Sequence, residues 1–190
     1  RFDTPFVIDV GVSDNLTARG LKNVFRLSPS HSRCVLDGVA ALADINKANG
    51  SPAKSAVLVH EESEFGTVTA KTISEKLPGI GIEVKEVIRH ANPTRNFDNV
   101  ALRIRSLKPD LVIMSNYQNE YVLLARTLYQ QKIELAATFS VLGGGYNNDV
   151  RQLVADPAFY WSLALPQTLQ YLFTQGELNS YLNLAYAEQL

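Results

Sequence analysis

The densest group of chemically capable side chains lies in "HEESEFGT", where Glu61, Glu62 and Glu64 crowd against Phe65 directly after an apolar run. Clustered carboxylates raise one another's pKa and can hold a divalent metal, which would suit acid–base or metal-assisted chemistry. Acidic residues also favour the positive N-terminal end of a helix, and that reading needs no chemistry at all. A zinc protease motif is excluded, because a helical HExxH needs its second histidine at position 64, where Glu64 stands. His31 and His90 are isolated in the sequence, so each is expected at the surface or in packing. Cys34 has no evident partner base, and a lone cysteine rules out an internal disulfide.

Two further turns carry polar or aromatic groups. "SNYQNE" sets Asn116 and Tyr117 beyond a buried strand, and Tyr117 offers a flat apolar face with a hydroxyl. It could serve a small organic ligand or close the end of the core. "LGGGYNNDV" places Gly143, Gly144 and Gly145 between a strand and a helix, where free amides could receive an anion or a tight turn could need positive φ. As a dinucleotide fingerprint it fails at Asn148, and it lacks the ending of a phosphate-binding loop.

The elements that must position these turns follow from hydrophobic periodicity. Short apolar runs at "PFVIDV", "NVFRLS", "KSAVLVH", "IEVKEVI", "PDLVIMS", "LAATFSVL" and "FYWSLAL" read as strands. Between them, 30–48 places Val35, Val39, Leu42 and Ile45 on one stripe. Residues 66–77 form a second helix that stops at Pro78 and Gly79. Segment 97–108 aligns Phe97, Val100, Ile104 and Leu107, and 119–132 aligns Tyr121, Leu124 and Leu128. Alternating strands and helices predict an α/β fold, a three-layer sandwich around a mainly parallel sheet. Ligands of such sheets bind beyond the carboxyl ends of the strands, so function is to be sought in the strand-to-helix turns.

Composition narrows the partners. The chain has 190 residues, 46% of them hydrophobic, and 18 basic against 19 acidic residues give a net charge of −1. Scattered basic residues leave no electrostatic footprint for nucleic acid. No run approaches the roughly 18 apolar residues of a membrane span, and "RFDTPFVIDV" lacks the pattern of a secretory signal. A first residue other than Met and a final segment inside a helical pattern predict a piece cut from a longer protein.

The order of motifs, from "PFVIDVGVSDNLT" through "VFRLSPS", "SAVLVHEESEFGTVTA" and "TRNFDNVALRIRSLKPDLVIMSNY" to "LGGGYNND", resembles the type I periplasmic binding proteins of branched-chain amino acid ABC transporters. The resemblance covers nearly the whole chain. It implies two α/β lobes closing over a ligand, with residues 1–25 ending the first lobe, 26–165 forming the second and 166–190 returning toward the first. It implies a small-molecule ligand, a membrane permease as partner, a periplasmic or extracellular location, no catalysis and no cofactor. Phe65 and Tyr117 look like aromatics that lie against the ligand, with Asn116 beside them.

Departures from the family pattern bear on the ligand. Amino acid binders of this group place small hydroxyl residues before "LT" to hold the ligand carboxylate, and here the matching positions are Val10 and Val12. They place an acidic residue near the glycine-rich turn for the ammonium, and here that turn reads Gly143, Gly144, Gly145. A buried ammonium without its partner would lose about 3 to 5 kcal/mol. The resemblance with these departures implies an uncharged or anionic ligand, such as an aromatic acid, rather than a free amino acid. Two alternatives share the fold class: the sensing domain of a membrane receptor, and a flavodoxin-like or receiver-like switch using the acidic turn for Mg²⁺. The latter finds Ser115 where a receiver needs its acceptor Asp.

Overall fold

A computed structural model describes residues 4–9 and 11–141 of the chain. The strand expected at "FYWSLAL", the turn holding Gly143, Gly144 and Gly145, the return segment 166–190 and Val10 lie outside the described residues.

Two parallel strands, β1 (Phe6–Ile8) and β2 (Val24–Arg26), form a short ribbon joined through a one-turn helix, α1 (Asn15–Ala18). The main body starts with α2 (His31–Ala48) and continues as β3 (Ser55–Glu61), α3 (Glu64–Lys76), a 3-10 turn (Leu77–Ile80), β4 (Glu83–His90), α4 (Asp98–Leu107), β5 (Leu111–Ser115), α5 (Gln118–Gln130) and β6 (Ala137–Ser140). Its sheet runs β4-β3-β5-β6, with every pairing parallel. The helix α3 packs on β3, β4, β5 and α2, while α4 packs on α5; right-handed crossovers running in opposite directions along the sheet put α3 on one face and α4 with α5 on the other. This is the expected α/β sandwich.

Burial fits the places of β3, β5 and β4 in this order. The strands β3 and β5 are buried along their whole lengths and β4 alternates, which places the first two centrally and β4 at the edge of the described sheet. Exposed Glu83, Lys85 and Arg89 give that edge the charges that discourage pairing with another chain. The predicted stripe of α2 is the buried one, joined by Cys34. Ser30 starts that helix, its hydroxyl accepting from the Arg33 backbone N–H at 3.2 Å. At Gly38 a Cβ would meet the Val141 side chain at 2.7 Å, so only glycine lets α2 approach the end of β6 this closely.

Two departures from the sequence reading concern the element ends. The helix α3 begins at Glu64, two residues before the expected start, which carries Glu64 and Phe65 into its first turn. The expected stop at Pro78 and Gly79 is a 3-10 turn closed by Gly81 at φ 79°. Helix α1 was not expected from periodicity, because a single turn is too short to repeat an apolar stripe.

Candidate functional site

The chain leaves β3 toward β4 on one side and leaves β5 toward β6 on the other. The carboxyl ends of β3 and β5 therefore flank a topological switch point, the place where an open parallel sheet gathers its ligand loops. The two loops that meet there are "HEESEFGT" and "SNYQNE".

In the first loop the three glutamates diverge. Glu61 is fully buried and its carboxylate accepts from the Ser63 N–H and hydroxyl, both at 2.6 Å, and from the Gly66 N–H at 2.7 Å. It fills the N-terminal end of α3, satisfying amides that the helix leaves without carbonyl partners. Gly66 is required there, since a Cβ would come within 2.3 Å of the Glu61 carbonyl oxygen and 2.5 Å of its carboxylate. Glu62 turns away to Arg89, at 3.1 Å. Glu64 receives the Ser13 hydroxyl at 3.3 Å and the Asn15 amide at 3.5 Å. Among the described residues no group of three or more His, Cys, Asp or Glu could hold a metal ion. The acidic turn is thus a helix cap with two outward arms, the reading that needed no chemistry.

With the carboxylates occupied, Phe65 projects from the first turn of α3, half-buried. Its ring stands 5.7 Å from that of Tyr117, centroid to centroid, at an interplanar angle of 31°. The Tyr117 side is 46% exposed, so the pair forms an aromatic platform open on one side. The structure brings together Phe65 and Tyr117, which the sequence could only name separately.

Asn116 is wholly buried and reaches across the end of β3 to the last residue of β4, its Nδ2 donating to His90 Nε2 at 2.9 Å. His90 Nδ1 lies 2.7 Å from the Ala91 carbonyl, which can only accept, so Nδ1 carries a proton and in the neutral imidazole Nε2 accepts. Phe97 packs edge-on against this imidazole at 4.9 Å. The amide of Asn116 is thereby oriented, and its Oδ1 is left buried with no partner among the described residues, as is the Ser115 hydroxyl. An unsatisfied buried acceptor costs about 1 to 3 kcal/mol.

Val12 sits in the turn that abuts α3. Its carbonyl accepts from Arg26 Nη1 at 3.1 Å and from the His31 N–H at 2.7 Å. Of the two expected places for His31, surface or packing, it takes the second: it is buried, and its Nε2 donates at 2.7 Å to the Thr69 hydroxyl, which donates at 2.6 Å to the Phe65 carbonyl. Burial holds the His31 pKa below 6.5 despite the opposing influence of Asp14 and Glu64. Burial works against the charge of Asp14 as well, but the hydroxyl and N–H of Ser32, at 3.0 and 3.1 Å, outweigh it with help from Ser30 and His31, and its pKa is lowered. Ser13, His31 and His90 were missed as supports of this region. The only local signal was their position at the ends of elements, which does not reveal a partner 26 to 51 residues away.

Comparison with known proteins agrees with this fold. The profile of a family described as periplasmic binding protein matches residues 4–172. The Leu/Ile/Val-binding protein homolog 8 of Brucella abortus (strain 2308) is 28% identical over 139 residues, covering 70% of this chain and 33% of the relative. A leucine binding protein of Thermotoga maritima superposes with a TM-score of 0.67 at 19% identity, over 81% of this chain and 42% of that one. An amino acid ABC transporter substrate-binding protein of Pseudomonas fluorescens gives 0.67 at 17%, over 80% and 40%. The chain spans about a third of the length of the curated relatives it matches.

Proposed function

The chain belongs to the periplasmic binding protein family, and we propose that it supplies most of the second lobe of a solute-binding component of an ABC importer. The observation that carries this reading is the Phe65–Tyr117 platform at the switch point, built from the two loops where a parallel sheet offers a ligand site. Asn116 lies beside it. Val12, Val10 and the Gly143–Gly145 turn are the proposed lining from the other side and from the remaining loop.

The proposed boundary near residue 25 falls inside the ribbon β1–β2, which ends at Arg26, is separate from the main sheet and, with the adjoining Leu27, exposes Phe6, Val7 and Phe25. Such an apolar surface suits burial against further first-lobe structure. The protein is then periplasmic or extracellular, works with a membrane permease and carries out no reaction.

The names of the relatives point to amino acids, whereas valines at 10 and 12 and glycines at 143–145 leave an ammonium and a carboxylate without the expected partners. We infer an aromatic or other non-amino acid ligand. A thermal-shift panel of amino acids, aromatic acids, dicarboxylates and amides against the full-length protein tests this, since a ligand at a hundred times its Kd stabilises by about 2.7 kcal/mol. The expected result is a shift from aromatic or other non-amino acids that vanishes in Phe65→Ala. Stabilisation confined to leucine, isoleucine or valine would overturn the ligand class and keep the importer reading.

A further inference from the structure

Asn116 is held in an unusual way. Its donor end meets His90 Nε2, the nitrogen that accepts in the neutral imidazole because Nδ1–H is committed to the Ala91 carbonyl. Against the neutral imidazole, rotating the amide by half a turn would set two acceptors face to face, so Oδ1 gains no bond there. The side chain has no exposure, and Oδ1 has no partner among the described residues. Buried acceptors are nearly always paired, and an exception at the end of a strand beside an aromatic platform calls for an occupant. The next residue, Tyr117, is the exposed half of that platform, so the orphan oxygen lies one residue from the open side of the site.

We propose that Asn116 Oδ1 is a specificity-determining acceptor for the ligand, selecting molecules that carry a hydroxyl or N–H donor beside a flat apolar part. This rests on the reading of Phe65 and Tyr117 as ligand contacts and adds a requirement to it. A flat molecule without a donor leaves the oxygen unsatisfied when the site closes, whereas a donor at that end removes the defect. Specificity of this kind arises because a site built to hydrogen-bond rejects the analogue that lacks the group.

The test is calorimetric titration of the full-length protein with matched probes that differ in the donor: 4-hydroxybenzoate against benzoate, and benzamide against N,N-dimethylbenzamide. The donor-bearing member of at least one pair should bind wild-type protein about tenfold more tightly. Asn116→Leu, which removes the acceptor at similar volume, should abolish that preference, and Phe65→Ala should weaken both members alike. If the leucine variant does not fold, Asn116→Ala is read in the same way. Equal binding of both members, or a preference that survives loss of Asn116, overturns this inference alone while the Phe65 effect upholds the platform. Failure of every probe to bind overturns the ligand class and this inference together.

Discussion

The two edges of the central sheet use polar groups in opposite ways. At the amino edge, Asp110 accepts from the N–H groups of Lys54 and Ser55 at 2.9 and 2.8 Å and from the Ser55 hydroxyl at 2.8 Å. Its own N–H and carbonyl bond to Ser55 and Ala136, stitching β3, β5 and the approach to β6. At the carboxyl edge, the Ser115 hydroxyl and Asn116 Oδ1 are buried without partners among the described residues, and Tyr117 is 46% exposed. One edge is saturated and the other withholds its capacity. Saturation favours a rigid base, and withheld bonding capacity is what a ligand can exploit.

The largest effect should come from the one saturated group on the open edge. Glu61→Ala leaves the Ser63 and Gly66 amides buried at the end of α3 without an acceptor and should cost about 3 kcal/mol in chemical denaturation. Stability within about 0.5 kcal/mol of wild type would show that water replaces the carboxylate, and would weaken the contrast. Asp110→Ala should cost about 2 kcal/mol while leaving ligand affinity unchanged. A change in affinity comparable to the change in stability would erase the division of labour between the edges.

Phe65→Ala reverses the pattern: affinity should fall tenfold or more, with a loss of about 1 kcal/mol in stability, because the ring is only half-buried. Acidification provides a subtler probe. His31 has a depressed pKa, so its contribution is complete above 6.5 and declines as pH falls below that value, where the unfolded chain takes up the proton more readily. Asp110 adds a loss at lower pH. Burial opposes its charge, but the bonds from Lys54 and Ser55 and the nearby Lys85 lower its pKa below 3.8, so its stabilisation disappears as pH falls through that depressed value. Denaturation between pH 7 and 5 should show a decline that His31→Gln reduces. The smallest effect belongs to the exposed Glu62–Arg89 pair, where Arg89→Ala should change stability by less than about 0.5 kcal/mol.

Much of this was legible in advance where the signal is local. All six described strands and the four longer helices lie where periodicity placed them, because β3 and β5 are continuous apolar runs and α2 repeats its stripe over 18 residues. Phe65, Asn116 and Tyr117 were identifiable as candidates because parallel strands must deliver their loops to one edge. The role of Glu61 was legible only as one of two readings, since charge near a helix start does not say which oxygen meets which amide. For His31 and His90 the sequence reached only as far as a surface or packing place, because their partners Thr69 and Asn116 come from other elements.

The sequence by itself determined the alternation of strand and helix, the buried centre of the sheet, the family and the loops worth inspecting, since each is encoded in residues close together along the chain. Only the tertiary structure decided that three neighbouring glutamates part company, that Phe65 and Tyr117 share one platform, and that the Asn116 amide is turned with its oxygen unpaired. Those outcomes depend on strand order and on a histidine tautomer set by a backbone carbonyl. Such constraints arise when segments distant in sequence pack together and each buried donor must find an acceptor.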